Sequence, residues 1–150
     1  MESILQHINH FVEAQTVASV CCQDDQGALH CFSCYYAYDA EHQLLHFKTS
    51  EDTLHMKLLA KHPHLAGTIL PDKLNKLKVQ GIQFTGVLVD PSDNDARQAG
   101  KHYHLKHPLA VAMDGKVRTI RINWIKMTDN TLGFGTKLVW DRSHYSVPLR

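Results

Sequence analysis

The chain has 150 residues, 43% of them hydrophobic and 21% charged, with a formal net charge of +1. That length suits a single domain, residues 1–150, with a core of its own. So balanced a charge provides no field for gathering nucleic acid or an anionic membrane surface, and neither is expected as a partner. No apolar run approaches the roughly 20 residues that span a bilayer, and "MESILQHINHFVEAQ" has no basic leader or cleavage-like site. The expected compartment is the cytoplasm, with the four cysteines present as free thiols.

In chain order, Ser3-x-x-Gln6 reads as a capping box, followed by a helical stripe of Ile4, Leu5, Ile8, Phe11 and Val12. "TVASVCC", the turn "QDDQG", a strand from Leu29 to Tyr38 and the returning "QLLHFKTS" make a three-strand meander. "EDTLHMKLLAKHP" reads as a short helix with Asp52 as its N-cap and Leu54, Leu58 and Leu59 as its apolar residues. Two strands follow, "HLAGTIL" and the longer "LKVQGIQFTGVLVD", the second interrupted by Gly81 and Gly86. Ser92–His107 reads as a polar helix closed by Pro108. "KVRTIRINWIKM" alternates, which puts Ile120, Ile122 and Trp124 on one face, and "LGFGTKLVW" supplies a glycine turn and a last strand. Six or seven strands with helices between them argue for an α+β fold around a closed or nearly closed barrel.

The pair Cys31-x-x-Cys34, with His30 beside it, invites a zinc or thiol-redox reading. In a strand, residues three apart point to opposite faces, so these thiols can share neither an ion nor a disulfide. The adjacent Cys21 and Cys22 diverge in the same way, and all four read as small strand residues. His104 and His107 lie one helical turn apart, but no convergent third ligand or carboxylate supports them, so no metal site is expected. The phosphate cradles GxGxxG and GxxxxGK[ST] do not occur. "HFKTSEDTLHMK" is the stronger constellation. A strand ending at Thr49 and Ser50 runs into a helix start near Thr53, with His55 and Lys57 one turn on, a pattern suited to an anion. Glu51 and Asp52 oppose an anion there, and a plain helix cap accounts for the pattern equally well.

Residues Thr16–Leu70 resemble the pyridoxamine 5′-phosphate oxidase-like family of FMN-binding split barrels. Phe47-Lys48-Thr49 followed by Thr49-x-x-x-Thr53-x-His55 is similar to that family's aromatic-x-Thr strand end and Thr-x-x-x-Ser-x-Lys helix start. "MTDNTLGFGTKLVW" resembles a small, functionally uncharacterised bacterial subgroup of it. The resemblance implies a six-stranded antiparallel split β-barrel with flanking helices, a homodimer, and FMN in the cleft between subunits. It assigns the phosphate to Thr49, Thr53 and His55, with Phe47, Lys48 and Ser50 around them, and runs Cys31, Phe32 and Ser33 beside the isoalloxazine ring. Lys48, Lys57 and Lys76 are candidates for the missing positive charge, since the oxidases' helix-start Arg and Lys are Leu54 and His55 here. Gln80, Trp124, Asn130, Lys137 and Trp140 complete the candidate contacts. With no Arg or Lys on Leu29–Tyr38, FMN is expected to bind weakly, and because the oxidases' substrate-binding Arg/His pair near the C-terminus has no clear match, pyridoxamine phosphate oxidation itself is not expected. The implied activity is that of a flavin-dependent oxidoreductase whose substrate is open. The alternative is a split-barrel module without turnover that binds flavin or another planar ligand such as haem.

Overall fold

A computed structural model describes residues 2–146. The elements are α1 (Ile4–Ala14), β1 (Val17–Gln23), β2 (Leu29–Asp39), β3 (Leu44–Thr49), α2 (Leu54–Lys61), β4 (His64–Ile69), β5 (Gln80–Leu88), α3 (Ala99–Lys106), β6 (Lys116–Asp129), β7 (Lys137–Asp141) and α4 (Arg142–Ser146). The strands run antiparallel in the order β3-β2-β1-β4-β5-β6, and pairing of β6 with β3 closes them into a six-stranded barrel. β7 adds to β6 outside that closure, so the fold is α+β with a split barrel, a seventh strand and four helices.

The 14 residues of β6 make the closure possible. Lys116–Arg121 pairs with β3, Ile120–Asp129 with β5, and Trp124–Thr128 with β7. Opposite Thr85 and Gly86 the ladder shifts from Trp124 to Ile122, a β-bulge that leaves Asn123 unpaired in register. The bulge corrects the expected alternation. Ile120 and Ile122 face the core, but so do Ile125 and Met127, and Trp124 turns to the outer face. Gly86 permits the bulge, since a Cβ there would lie 2.6 Å from the Arg121 carbonyl oxygen.

α1 lies across one mouth of the barrel, where Ile8, Phe11 and Val12 are buried. Its capping box is formed as expected, with Gln6 N donating to Ser3 Oγ and Ser3 N to Gln6 Oε1. Tyr36 and Tyr38 of β2 fasten it by donating to Val12 O and Asn9 Oδ1 at 2.6 and 2.7 Å.

Three local expectations change. The N-cap of α2 is Thr53, whose Oγ1 accepts from Met56 N, and not Asp52. Ser92–His107 is not one helix: Asp93 caps a 3₁₀ turn at Asn94–Ala96, Arg121 holds Asp93 and Asp95 from β6, and α3 starts only at Ala99. β5 begins at Gln80, leaving Leu77 almost wholly exposed. No helix among the described residues is long and apolar enough to cross a membrane.

Candidate functional site

At the end of the barrel formed by β2 and β3, a cavity of about 680 Å³ opens between the sheet, the start of α2 and the end of α3. β2 presents Phe32 to Tyr35 to it, β3 delivers Lys48 and Thr49 at its last two positions, and His55 comes from the first turn of α2. The far wall is Tyr103, Lys106 and His107, then Pro108–Ala110 of the 3₁₀ segment that Pro108 starts and Met113 just after it. Pro108 ends α3 because it cannot continue the hydrogen-bond ladder. The chain then folds back over the cavity instead of away from it.

The polar groups of the lining have their own partners. Thr49 Oγ1 lies 2.8 Å from His55 Nε2, and the His55 ring stacks on Phe32 with centroids 3.8 Å apart and planes 9° from parallel. Burial, and then the nearby His30, lower the pKa of His55, so it is a neutral hydrogen-bonding partner at pH 7. Lys48 Nζ donates to Ala110 O at 2.6 Å and sits 3.2 Å from His104 Nε2. Lys106 Nζ donates to Glu13 O at 2.7 Å. Both ammonium groups are therefore held by neutral acceptors. No carboxylate lines the cavity, and no described carboxylate pairs with Lys48 or Lys106. Tyr35, Tyr103, Leu109 and Met113 make the remaining surface aromatic or aliphatic. Such a cavity suits a flat, largely apolar ligand with an anionic end.

Of the residues singled out in the sequence, Phe32, Ser33, Lys48, Thr49 and His55 converge on this cavity. Cys31 lies on the outer face in a different, shallow groove that Trp124 also lines. Phe47 faces the barrel core and is fully buried. The Thr53 hydroxyl is engaged on both sides, donating to Ser50 O and accepting from Met56 N. Ser50, Lys57 and Lys76 are exposed and outside the lining. Gln80, Asn130 and Lys137 belong to the opposite end: Gln80 donates to Asp129, Asn130 accepts from Gly135 N, and Lys137 donates to Thr128. Trp140 is a core residue, 2% exposed. The sequence reading missed the far wall of Tyr103, Lys106, His107, Leu109 and Met113. The available signal was "YHLKHPLAVAM", where a helix stops at Pro108 and an apolar run follows without strand alternation. Among the described residues, no group of three or more His, Cys, Asp or Glu is placed to hold a metal ion.

No protein-family model matches the chain. It is 34% identical over 138 residues to a UPF0306 protein of Serratia proteamaculans, covering 92% of this chain and 95% of that one. It is 33% identical over 138 residues to the UPF0306 protein YhbP of Escherichia coli, covering 92% and 98%. Among solved structures, a haem-binding protein from Mycobacterium smegmatis superposes with a TM-score of 0.79 at 14% identity. That match covers 97% of this chain but spans only 60% of the Mycobacterium protein. An FAD-binding protein from Mesorhizobium loti gives 0.63 at 14% identity, over 81% of this chain and 91% of that one. A Clostridium acetobutylicum protein related to general stress protein 26, of the pyridoxinephosphate oxidase family, gives 0.64 at 14% identity over 94% and 96%. These structural likenesses share a fold across dissimilar sequences, whereas the identity to the Serratia and Escherichia proteins runs through nearly the whole of both chains: the protein is a member of the UPF0306 family.

Proposed function

We propose that the cavity binds a flavin, with FMN as the first candidate, and that the protein is a flavin-dependent oxidoreductase. The observation that carries the reading is the charge of the lining: two lysines without carboxylate partners in walls that are otherwise mostly aromatic and aliphatic. The FAD-binding and pyridoxinephosphate oxidase-family neighbours give the reading its precedent on this fold. A bound flavin supplies hydride or electron transfer. The chain's own part is to hold and shield it. Lys48 offsets the phosphate charge beside Thr49, its neighbour in the strand, which hydrogen-bonds with His55; Lys106 adds a second positive charge to the lining, and Phe32, Tyr35 and Tyr103 exclude water from the ring's surroundings.

A homodimer is part of the proposal. The rim carries Leu109 at 89% exposure, Met113 at 66% and Tyr35 at 59%, an apolar margin suited to closure by a second copy.

Absorbance of untagged protein before and after incubation with FMN, followed by removal of the excess, tests the ligand. A retained flavin spectrum that NADH or NADPH bleaches, with turnover on an electron acceptor above that of free FMN, supports the oxidoreductase. Retained flavin without reduction by any donor leaves a binding module. A second reading, haem in the same cavity, rests on two imidazoles in the lining, His55 and His107, with a haem-binding neighbour on the same fold. A Soret band after haemin addition, with no flavin retained, would select it.

A further inference from the structure

The register of β1 with β2 places Cys21 directly opposite Cys31. Tyr36 N donates to Thr16 O at 3.1 Å, so Thr16 and Tyr36 form a hydrogen-bonded pair of this ladder. Pair types alternate along an antiparallel ladder, and Cys21–Cys31, five steps from that pair, is of the non-hydrogen-bonded type. In such pairs the Cα atoms are roughly 4.5 Å apart and both side chains stand on one face. That spacing falls at the short end of the roughly 4.4–6.8 Å a disulfide accepts. Cys31 is exposed and Cys21 half-buried, in the outer groove beside Ala66 and Trp124. Burial first, and then the adjacent Cys31 thiol, raise the Cys21 pKa. The other two thiols face the core: Cys22 donates to His30 O, and burial pushes Cys34 up to about 12.

We propose that Cys21 and Cys31 are a redox-modification site that closes reversibly into a cross-strand disulfide when a hydroperoxide reaches the groove. The more exposed Cys31 thiolate attacks a peroxide oxygen, breaking the O–O bond, releasing water or an alcohol and leaving a sulfenic acid. The Cys21 sulfur then attacks Cys31 Sγ and expels the sulfenic oxygen as water, forming the S–S bond. Two electrons pass to the peroxide, and both thiol protons leave in its reduced products. A dithiol reverses the step by exchange. Exposure of Cys31 leaves such a bond open to an attacking thiolate, as a regulatory disulfide is. The site is independent of whatever occupies the cavity, because it lies in a different groove.

The test uses the full-length reduced protein, treated with hydrogen peroxide, acid-quenched, alkylated after unfolding and cleaved before Asp24 or Asp25, which separate Cys21 from Cys31. The expected product is one linked pair of fragments, lighter by two hydrogens and separated again by dithiothreitol. Cys21→Ser and Cys31→Ser each remove the link completely. Cys21→Ser leaves a sulfenic acid on Cys31 that dimedone captures, while Cys31→Ser takes up no dimedone at the same dose. All four thiols still open to alkylation after peroxide overturns the proposal. So does a link that persists in Cys21→Ser, or peroxide coupling of two chains in place of one.

Discussion

Around Asp129 the fold supplies its own polar partners, whereas around Lys48 charges are left for something else. Asp129 is fully buried, yet its carboxylate accepts from His7 Nε2 at 2.7 Å, Gln80 Nε2 at 3.2 Å, and Thr131 N and Oγ1 at 2.9 and 2.6 Å. Lys48 and Lys106, in the lining of the cavity, meet carbonyl oxygens and an imidazole and no carboxylate. Both ends bring loops and strand termini together with histidines and hydroxyls, so they look alike in composition. They differ in whether the groups cancel. A self-satisfied network stabilises the fold, and an uncancelled one is where a ligand gains most from binding.

The largest expected effect is at the self-satisfied end. Asp129→Ala leaves His7, Gln80 and Thr131 without their acceptor and should cost about 3 kcal/mol of stability, read by urea unfolding, while flavin affinity of the folded fraction stays unchanged. A loss of affinity would erase the distinction between the two ends. The pair also has a pH signature. Asp129 has a lowered pKa, burial opposing the hydrogen bonds from Thr131 and His7 that win, so its contribution holds above 3.8 and is lost as pH falls through the lowered value. His7 is raised, chiefly by Asp129, so its contribution is complete below 6.5 and is lost as pH climbs through the raised value.

Next in size is His46 on the outer face of β3, beneath α3 and beside His102. Burial, and then His102, push its pKa down to about 4. Below 6.5 the unfolded chain takes up this proton before the folded one does, so stability should fall by about 3 kcal/mol between pH 6.5 and pH 4. His46→Gln should flatten that acid slope in thermal melts and leave the alkaline loss of the His7–Asp129 pair in place.

At the ligand end, Lys48→Met should weaken FMN binding by about tenfold, or ~1.4 kcal/mol, measured by fluorescence quenching of the flavin. The smallest effects come from the two threonines, and they should separate cleanly. Thr53→Ala removes a helix cap and should cost about 1 kcal/mol of stability with affinity unchanged. Thr49→Ala should lower affinity a few-fold with stability nearly unchanged, because its hydroxyl faces the cavity. If Thr53→Ala alters affinity as much as Thr49→Ala does, the anion lies nearer the helix start than the lining implies.

The candidate site was legible where one local segment builds it. Lys48, Thr49 and His55 lie within eight residues, and a strand end meeting a helix start brings them together whatever the rest of the chain does. Gln80, Trp124, Asn130, Lys137 and Trp140 were proposed from residue type and resemblance, and their distance from the cavity is set by barrel closure, which no local pattern carries. The Asp52 and Thr53 positions show the same limit on a smaller scale. Either residue can cap a helix, and only the backbone geometry selects Thr53.

The sequence by itself determined the strand-rich α+β class, the capping box of α1, the meander β1–β3 and the opposite-facing placement of Cys31 and Cys34, all of which follow from period and local hydrogen bonding. Tertiary structure alone decided that β6 closes the barrel on β3, that a bulge turns Trp124 outward, that Cys21 stands opposite Cys31, and that the segment after Pro108 walls the cavity. Each of these depends on strand register or on packing between residues far apart in the chain. Those contacts are chosen by the burial of the whole core, and short-range pattern does not encode them.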